Sequence, residues 1–194
     1  MSTPSHDSVR SDTRNWLERA VIGLNLCPFA KSVHVKGQVH YAVSEARYAD
    51  ELLADLVTEL KALAASDAAT RDTTLLIAPY CLDDFLDFND FLGQADKALA
   101  RLGLDGVLQI ASLHPRYQFA GTEEDDVTNF TNRSPYPTLH LLREISIDRA
   151  VAAFPNAEAI FEVNMATMER LGASGWAELK VGASASTEKP EAIE

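Results

Sequence analysis

Residues 107–144 read V-L-Q-I-A-S-L-H-P-R-Y-Q-F-A-G-T-E-E-D-D-V-T-N-F-T-N-R-S-P-Y-P-T-L-H-L-L-R-E, and the way this stretch divides decides the fold. Val107 to Leu113 is an apolar run of strand length. His114-Pro115 ends it, because proline lacks a backbone donor and pushes the preceding residue into extended conformation. The next twenty or so residues show neither a two-residue nor a 3.6-residue apolar period. Connections that long are uncommon inside compact domains and are usually functional. Tyr117, Phe119, Phe130 and Tyr136 are too many aromatic rings for a solvated linker, so an ordered site loop is expected. Pro137 then suits the first turn of a helix, predicted to run to Glu144 and to carry His140, Arg143 and Glu144.

Upstream, Val39, Tyr41 and Val43 alternate with polar or small residues as a half-buried strand does. Leu52, Leu53, Leu56, Val57, Leu60 and Leu63 form one helical stripe within Tyr48 to Ala65. Leu75 to Pro79 reads as a strand covered on both faces. Asp83 or Asp84 caps a helix whose core positions are Phe85, Phe88, Phe91, Leu92, Ala95, Leu99 and Leu102, and Gly103 ends it. Strand, helix, strand, helix, strand predicts an α/β fold: a small three-stranded, mostly parallel sheet with right-handed crossovers. A leading helix from Ser11 to Leu24 and a C-terminal helical segment complete it, the latter broken at Pro155 and stopped by Gly172. The expected organisation is a flexible tail over 1–10, a single α/β domain over 11–172 and a disordered tail over 173–194.

The totals narrow the function. With 46% apolar and 24% charged residues, the composition is that of an ordinary globular protein. A net charge of -12 speaks against nonspecific binding to nucleic acid or an anionic membrane. No apolar stretch reaches the ~18 residues of a membrane span, and M-S-T-P-S-H-D-S lacks the pattern of a signal peptide. Cys27 and Cys81 stand in no metal or redox spacing, as reduced thiols of a cytoplasmic protein would.

Candidate chemistry gathers where ligands of parallel α/β sheets bind, beyond the carboxyl ends of the strands. His114 closes the third strand, and His140 and Glu144 share one face if 137–144 is helical. Together they would supply two histidines and a carboxylate for a divalent metal. Arg116, Arg133 and Arg143, with Asn132 and Tyr117, would clamp a small anionic molecule, since guanidinium forks match carboxylates and phosphates. The competing reading has these arginines tie the loop to the acidic run Glu123 to Asp126. Cys27 lies in a bend before Pro28 and would serve as nucleophile if His114 or His140 acted as its base, with Asn25 stabilising the developing oxyanion. A noncatalytic module would use the same arginines to hold an effector. A sheet this small also leaves open edges that a second copy of the chain would cover.

The blocks L-N-L-C-P-F-A-K (24–31), H-P-R-Y-Q-F-A-G-T (114–122) and T-N-R-S-P-Y-P-T-L-H-L-L-R-E (131–144), with L-L-I-A-P and the D-F-x-x-F-x-x-F-L helix, resemble an uncharacterised bacterial domain-of-unknown-function family. The resemblance covers roughly Trp16 to Leu171. It implies no reaction, cofactor or catalytic residue.

Overall fold

The computed structural model describes residues 3–153 and 159–184. The chain begins with α1, His6–Trp16, which continues as a wider π-helical turn over Leu17–Ile22. Next come α2 (Ala30–Val35), β1 (Val39–Val43), α3 (Ala49–Ala65), β2 (Thr73–Ile77), α4 (Phe85–Arg101) and β3 (Leu108–Leu113). A short 3-10 helix, Val127–Asn132, lies within the long loop. Then follow β4 (Thr138–Arg143), α5 (Glu144–Ala153) and α6 (Ile160–Glu178).

α1 starts five residues before the expected Ser11. Ser5 caps it by accepting from the Ser8 amide at 3.2 Å. Gly172, at φ 67°, interrupts α6 as its position in the sequence suggested, but helix resumes to Glu178. The predicted break at Pro155 and the tail beyond 184 lie outside the described residues.

The α/β class holds, but the sheet has four strands in the order β1-β2-β4-β3. β1 and β2 pair in parallel, whereas β4 runs antiparallel to both β2 and β3. The expected helix from Pro137 to Glu144 is therefore a strand. The long loop reverses the chain and delivers β4 into the gap that a parallel β2–β3 pair would have filled. The side chains of β4 explain the outcome. Leu139 and Leu141 are buried toward α3 and α4, while Thr138, His140 and Leu142 alternate to the other face. Six residues are too few for a helical period to compete once two neighbouring strands offer ladders on both sides.

Each sheet face has its own core. On one, Leu52, Leu56, Leu60 and Leu63 of α3 and Phe88, Phe91, Ala95 and Leu99 of α4 pack on Leu76, Leu108, Leu139 and Leu141. The capping expected of α4 is present: Asp84 accepts from the Leu86 amide at 2.8 Å, and Gly103 sits at φ 68° past the last turn. On the other face, Val9, Trp16, Leu17 and Ala20 cover Leu75, Ile77 and Tyr136. Among the described residues no helix is long and apolar enough to cross a membrane.

Candidate functional site

The second sheet face is covered unevenly. α1 and its π-helical turn lie over part of it, and beyond them opens a cavity of about 1010 Å3. That is the upper end of the range for small-molecule pockets. Its floor is Thr73 and Leu75 of β2, Gln109 and Leu113 of β3, and His140 and Leu142 of β4. Trp16, Leu17 and Val21 form one wall, the Leu26-to-Val33 bend a second, and α5 from Ser146 a third.

Of the residues singled out from the sequence, Cys27, Asn132, His140 and Arg143 line this cavity. Asn25, His114, Arg116, Tyr117, Arg133 and Glu144 do not. Strand alternation separates the two histidines. His140 pairs with Leu75 and Ala111 and shares their face of the sheet, whereas His114 continues the Leu108-Ile110-Ser112 side and lies between Phe85 and Phe88 of α4. Because 138–143 is a strand, His140 and Glu144 are four extended residues apart, about 13 Å, rather than one helical turn. The expected metal triad of His114, His140 and Glu144 is thus not assembled. Among the described residues no three histidine, cysteine or acidic side chains come together as a metal site would need.

His114 is a structural pin. It is fully buried; its Nδ1 accepts from the Arg116 amide at 3.0 Å, and its Nε2 donates to the Leu82 carbonyl at 3.1 Å. Leu82 sits at φ 56°, in the left-handed region that a leucine rarely adopts, and the imidazole holds that turn against the end of β3. Burial pushes the His114 pKa down, so the ring stays neutral. Asn25, also at φ 56°, is exposed and turns the chain out of the first helix rather than facing the cavity.

The arginines divide in the same way. Arg116 reaches the Asp83 carbonyl at 2.7 Å and Asp84 at 3.2 Å, at the start of α4. Arg133 stacks over Phe130 and donates to the Glu124 carbonyl at 2.6 Å, so for this residue the tie to the acidic run is what the fold contains. Tyr117 packs between Phe85 and Phe119. Arg143 lies at the cavity edge and donates to the Leu63 and Ser66 carbonyls, both at 2.6 Å, closing the C-terminal end of α3. The site loop is itself a packed element. Asn129, fully buried, accepts from the Phe119 amide and donates to the Glu123 carbonyl.

Residues that sequence spacing did not bring forward complete the lining. Lys36 and Arg149 are exposed at the rim and make no ion pair among the described residues. Asp72 is the lone carboxylate of the lining, and it accepts from Ser146 Oγ at 2.6 Å. Nothing in the local pattern joins Lys36 to Arg149. A period-two reading of β4, however, would have put His140 on the face of Gln109 and Leu113. His140 Nε2 lies 2.7 Å from Thr73 Oγ1, and burial lowers its pKa to about 4. Cys27 is a free, half-buried thiol in the wall; Cys81 is buried beneath the other sheet face, where burial raises its pKa to about 11.

Comparison with curated proteins and with solved structures found no match. A family model does match, over residues 8–178, which takes in every strand and every residue named in the cavity lining. The chain belongs to the family described as a protein of unknown function, DUF1415.

Proposed function

We propose that this chain is an enzyme acting on a small anionic molecule with an apolar body, held in the cavity over β2, β4 and β3. One observation carries this reading. The lining holds three cations, Lys36, Arg143 and Arg149, against the single carboxylate Asp72, in a chain whose net charge is -12. A positive concavity in an acidic protein focuses field lines and concentrates anions from solution. The apolar remainder, with Leu17, Val21, Leu75, Leu113 and Leu142, suits a hydrocarbon or aromatic portion of the ligand. Trp16, in the wall, is a built-in reporter.

The test is thermal denaturation and Trp fluorescence against a panel of phosphates, mono- and dicarboxylates. At least one class should raise the melting temperature in a saturable way. In the Lys36→Ala/Arg149→Ala double variant its affinity should fall about tenfold or more, the loss of two partly exposed charge contacts. A panel without effect, or binding indifferent to the double variant, overturns the proposal.

A second reading is supported by Cys27 and His140 lining the same cavity: the thiol is the reacting nucleophile and the imidazole receives its proton. With its pKa held near 4 by burial, His140 is by itself a weak base. An anion bound beside it raises its basicity, so this chemistry is coupled to ligand occupancy. Iodoacetamide should label Cys27 and spare the buried Cys81, and labelling should change when an anion binds. If neither the labelling rate nor its ligand dependence differs in His140→Phe, the thiol reading is wrong. Turnover separates both from binding alone.

A further inference from the structure

The proton count around Thr73 determines what His140 offers to the cavity. Thr73 Oγ1 lies 2.7 Å from the Leu141 carbonyl oxygen and 2.7 Å from His140 Nε2. A carbonyl only accepts, so the single hydroxyl proton of Thr73 goes to Leu141. The hydroxyl then has only lone pairs left for the imidazole, and Nε2 must be the donor. The ring is neutral, with its one proton on Nε2, and Nδ1 keeps a bare lone pair. Among the described residues Nδ1 has no hydrogen-bond partner, and it is not one of the atoms sealed from solvent without one. The ring itself is part of the cavity floor, and its cross-strand neighbour on the β3 side is only Ala111, which leaves room beside it. A second histidine in the same molecule shows the contrast: His114 has both nitrogens occupied by backbone.

We infer that His140 is a specificity-determining acceptor, locked by Thr73 with Nδ1 facing the ligand, and that the occupant is a hydroxylated or amide-bearing organic anion. A plain fatty or aromatic acid would satisfy the cationic rim but leave the Nδ1 lone pair facing apolar surface. A partner with an O–H or N–H set back from its anionic group satisfies both. This inference rests on the anion-site reading for its ligand class, but its tautomer does not.

Two measurements test it. The first needs no ligand: long-range proton–nitrogen correlation on uniformly labelled protein reads the tautomer of each histidine ring. His140 should show a protonated Nε2 and an unprotonated Nδ1 at neutral pH. In Thr73→Val the same ring should lose this bias, while His114 keeps its own. A native His140 ring protonated on Nδ1 overturns the inference outright.

The second compares 3-phenylpropionate with 3-hydroxy-3-phenylpropionate, which differs by one hydroxyl set back one carbon from the carboxylate, by titration in the native protein and in His140→Phe. The hydroxyl should tighten binding roughly 2- to 10-fold in the native protein, the span of a single net hydrogen bond. That advantage should vanish in His140→Phe, whatever the absolute affinity of 3-phenylpropionate in that variant. Equal binding of the two acids to the native protein overturns the acceptor role and leaves the anion site standing. Binding of neither acid overturns the ligand class, and the phosphate and dicarboxylate arms of the wider panel then decide whether the anion site itself survives.

Discussion

At the scale of single residues, the two histidines of the stretch 107–144 differ in task because they differ in face. His114 joins two loops through backbone bonds, and His140 lies at the floor of a cavity, yet burial keeps both rings neutral. The consequence is measurable. The unfolded chain takes up a proton at each near pH 6.5, and the folded chain does so only at lower pH, near 4 for His140. Between those values the unfolded state holds more protons, so stability falls as pH drops through the window from about 6.5 to 4. The His140 part is on the order of a few kcal/mol. Urea titrations at pH 7 and pH 4.5 should therefore show a smaller acid loss in His140→Phe than in the native protein, since the remaining carboxylates and His114 are common to both. An identical loss in the two proteins would show that His140 is not held neutral by the fold.

At the scale of elements, the π-helical turn over Leu17–Ile22 shapes the cavity wall, because it carries Leu17 and Val21 and leads into the Cys27 bend. Its bonds span five residues: Gly23 donates to Glu18 and Leu26 to Val21, at 3.0 and 2.9 Å. No room is left at Gly23, where a Cβ would stand 2.2 Å from the Arg19 carbonyl oxygen. Gly23→Ala should force the turn toward ordinary α-helix, cost about 2 kcal/mol or more of stability, and shift both Trp16 fluorescence and the alkylation rate of Cys27. A variant as stable as the native protein with unchanged Trp emission would mean that the turn does not depend on this glycine. The same scale shows what the sequence made legible. The seventeen-residue helices α3 and α4 have long apolar stripes, α4 also its Asp84 cap, and both stand where the pattern puts them. β4 was not legible as a strand: T-L-H-L-L-R has only six residues, Leu142 breaks its alternation, and Pro137 is as acceptable before a strand as at the start of a helix. The metal triad fails for the same reason, since His140 and Glu144 share a face only on a helix. Cys27, Asn132, His140 and Arg143 do meet in one concavity, but Lys36 and Arg149 come to its rim through tertiary packing, which no local period records.

At the scale of the whole molecule, the two ends of the described chain hold the covered part of the second sheet face together. Asn15 donates to the Lys180 carbonyl at 2.9 Å and Arg19 to that of Leu179 at 3.1 Å, laying 179–184 along α1, with Val181 buried in the core beside Trp16. Asp12, only 8% exposed, is the knot. Its Oδ2 accepts from Tyr136 Oη and from the Ser184 amide, both at 2.8 Å, and its Oδ1 accepts from Ser184 Oγ at 2.5 Å. One carboxylate therefore joins the first helix, the turn before β4 and the C-terminal segment. Trp16 adds a fourth tie through Nε1 to the Arg133 carbonyl at 2.8 Å, so the loop beside the cavity is referenced to the same helix. Removing the carboxylate leaves the buried Tyr136 hydroxyl without its partner, at a cost of about 1–3 kcal/mol, and releases the amide of the exposed Ser184 to solvent. Asp12→Ala should thus lower stability by roughly 1–3 kcal/mol, with Asp12→Asn intermediate because the amide oxygen still accepts. The loss should be local before it is global: the Ser184 amide should exchange with solvent faster under native conditions, and proteases should cut within 179–184 while β2 and β4 stay protected. Ligand affinity should weaken in parallel, because Trp16 and Leu17 of the cavity wall ride on the helix that Asp12 anchors. If Ser184 exchanges as slowly in Asp12→Ala as in the native chain, then hydrophobic burial of Val181 alone holds the segment, and the carboxylate is not what closes the molecule on that side.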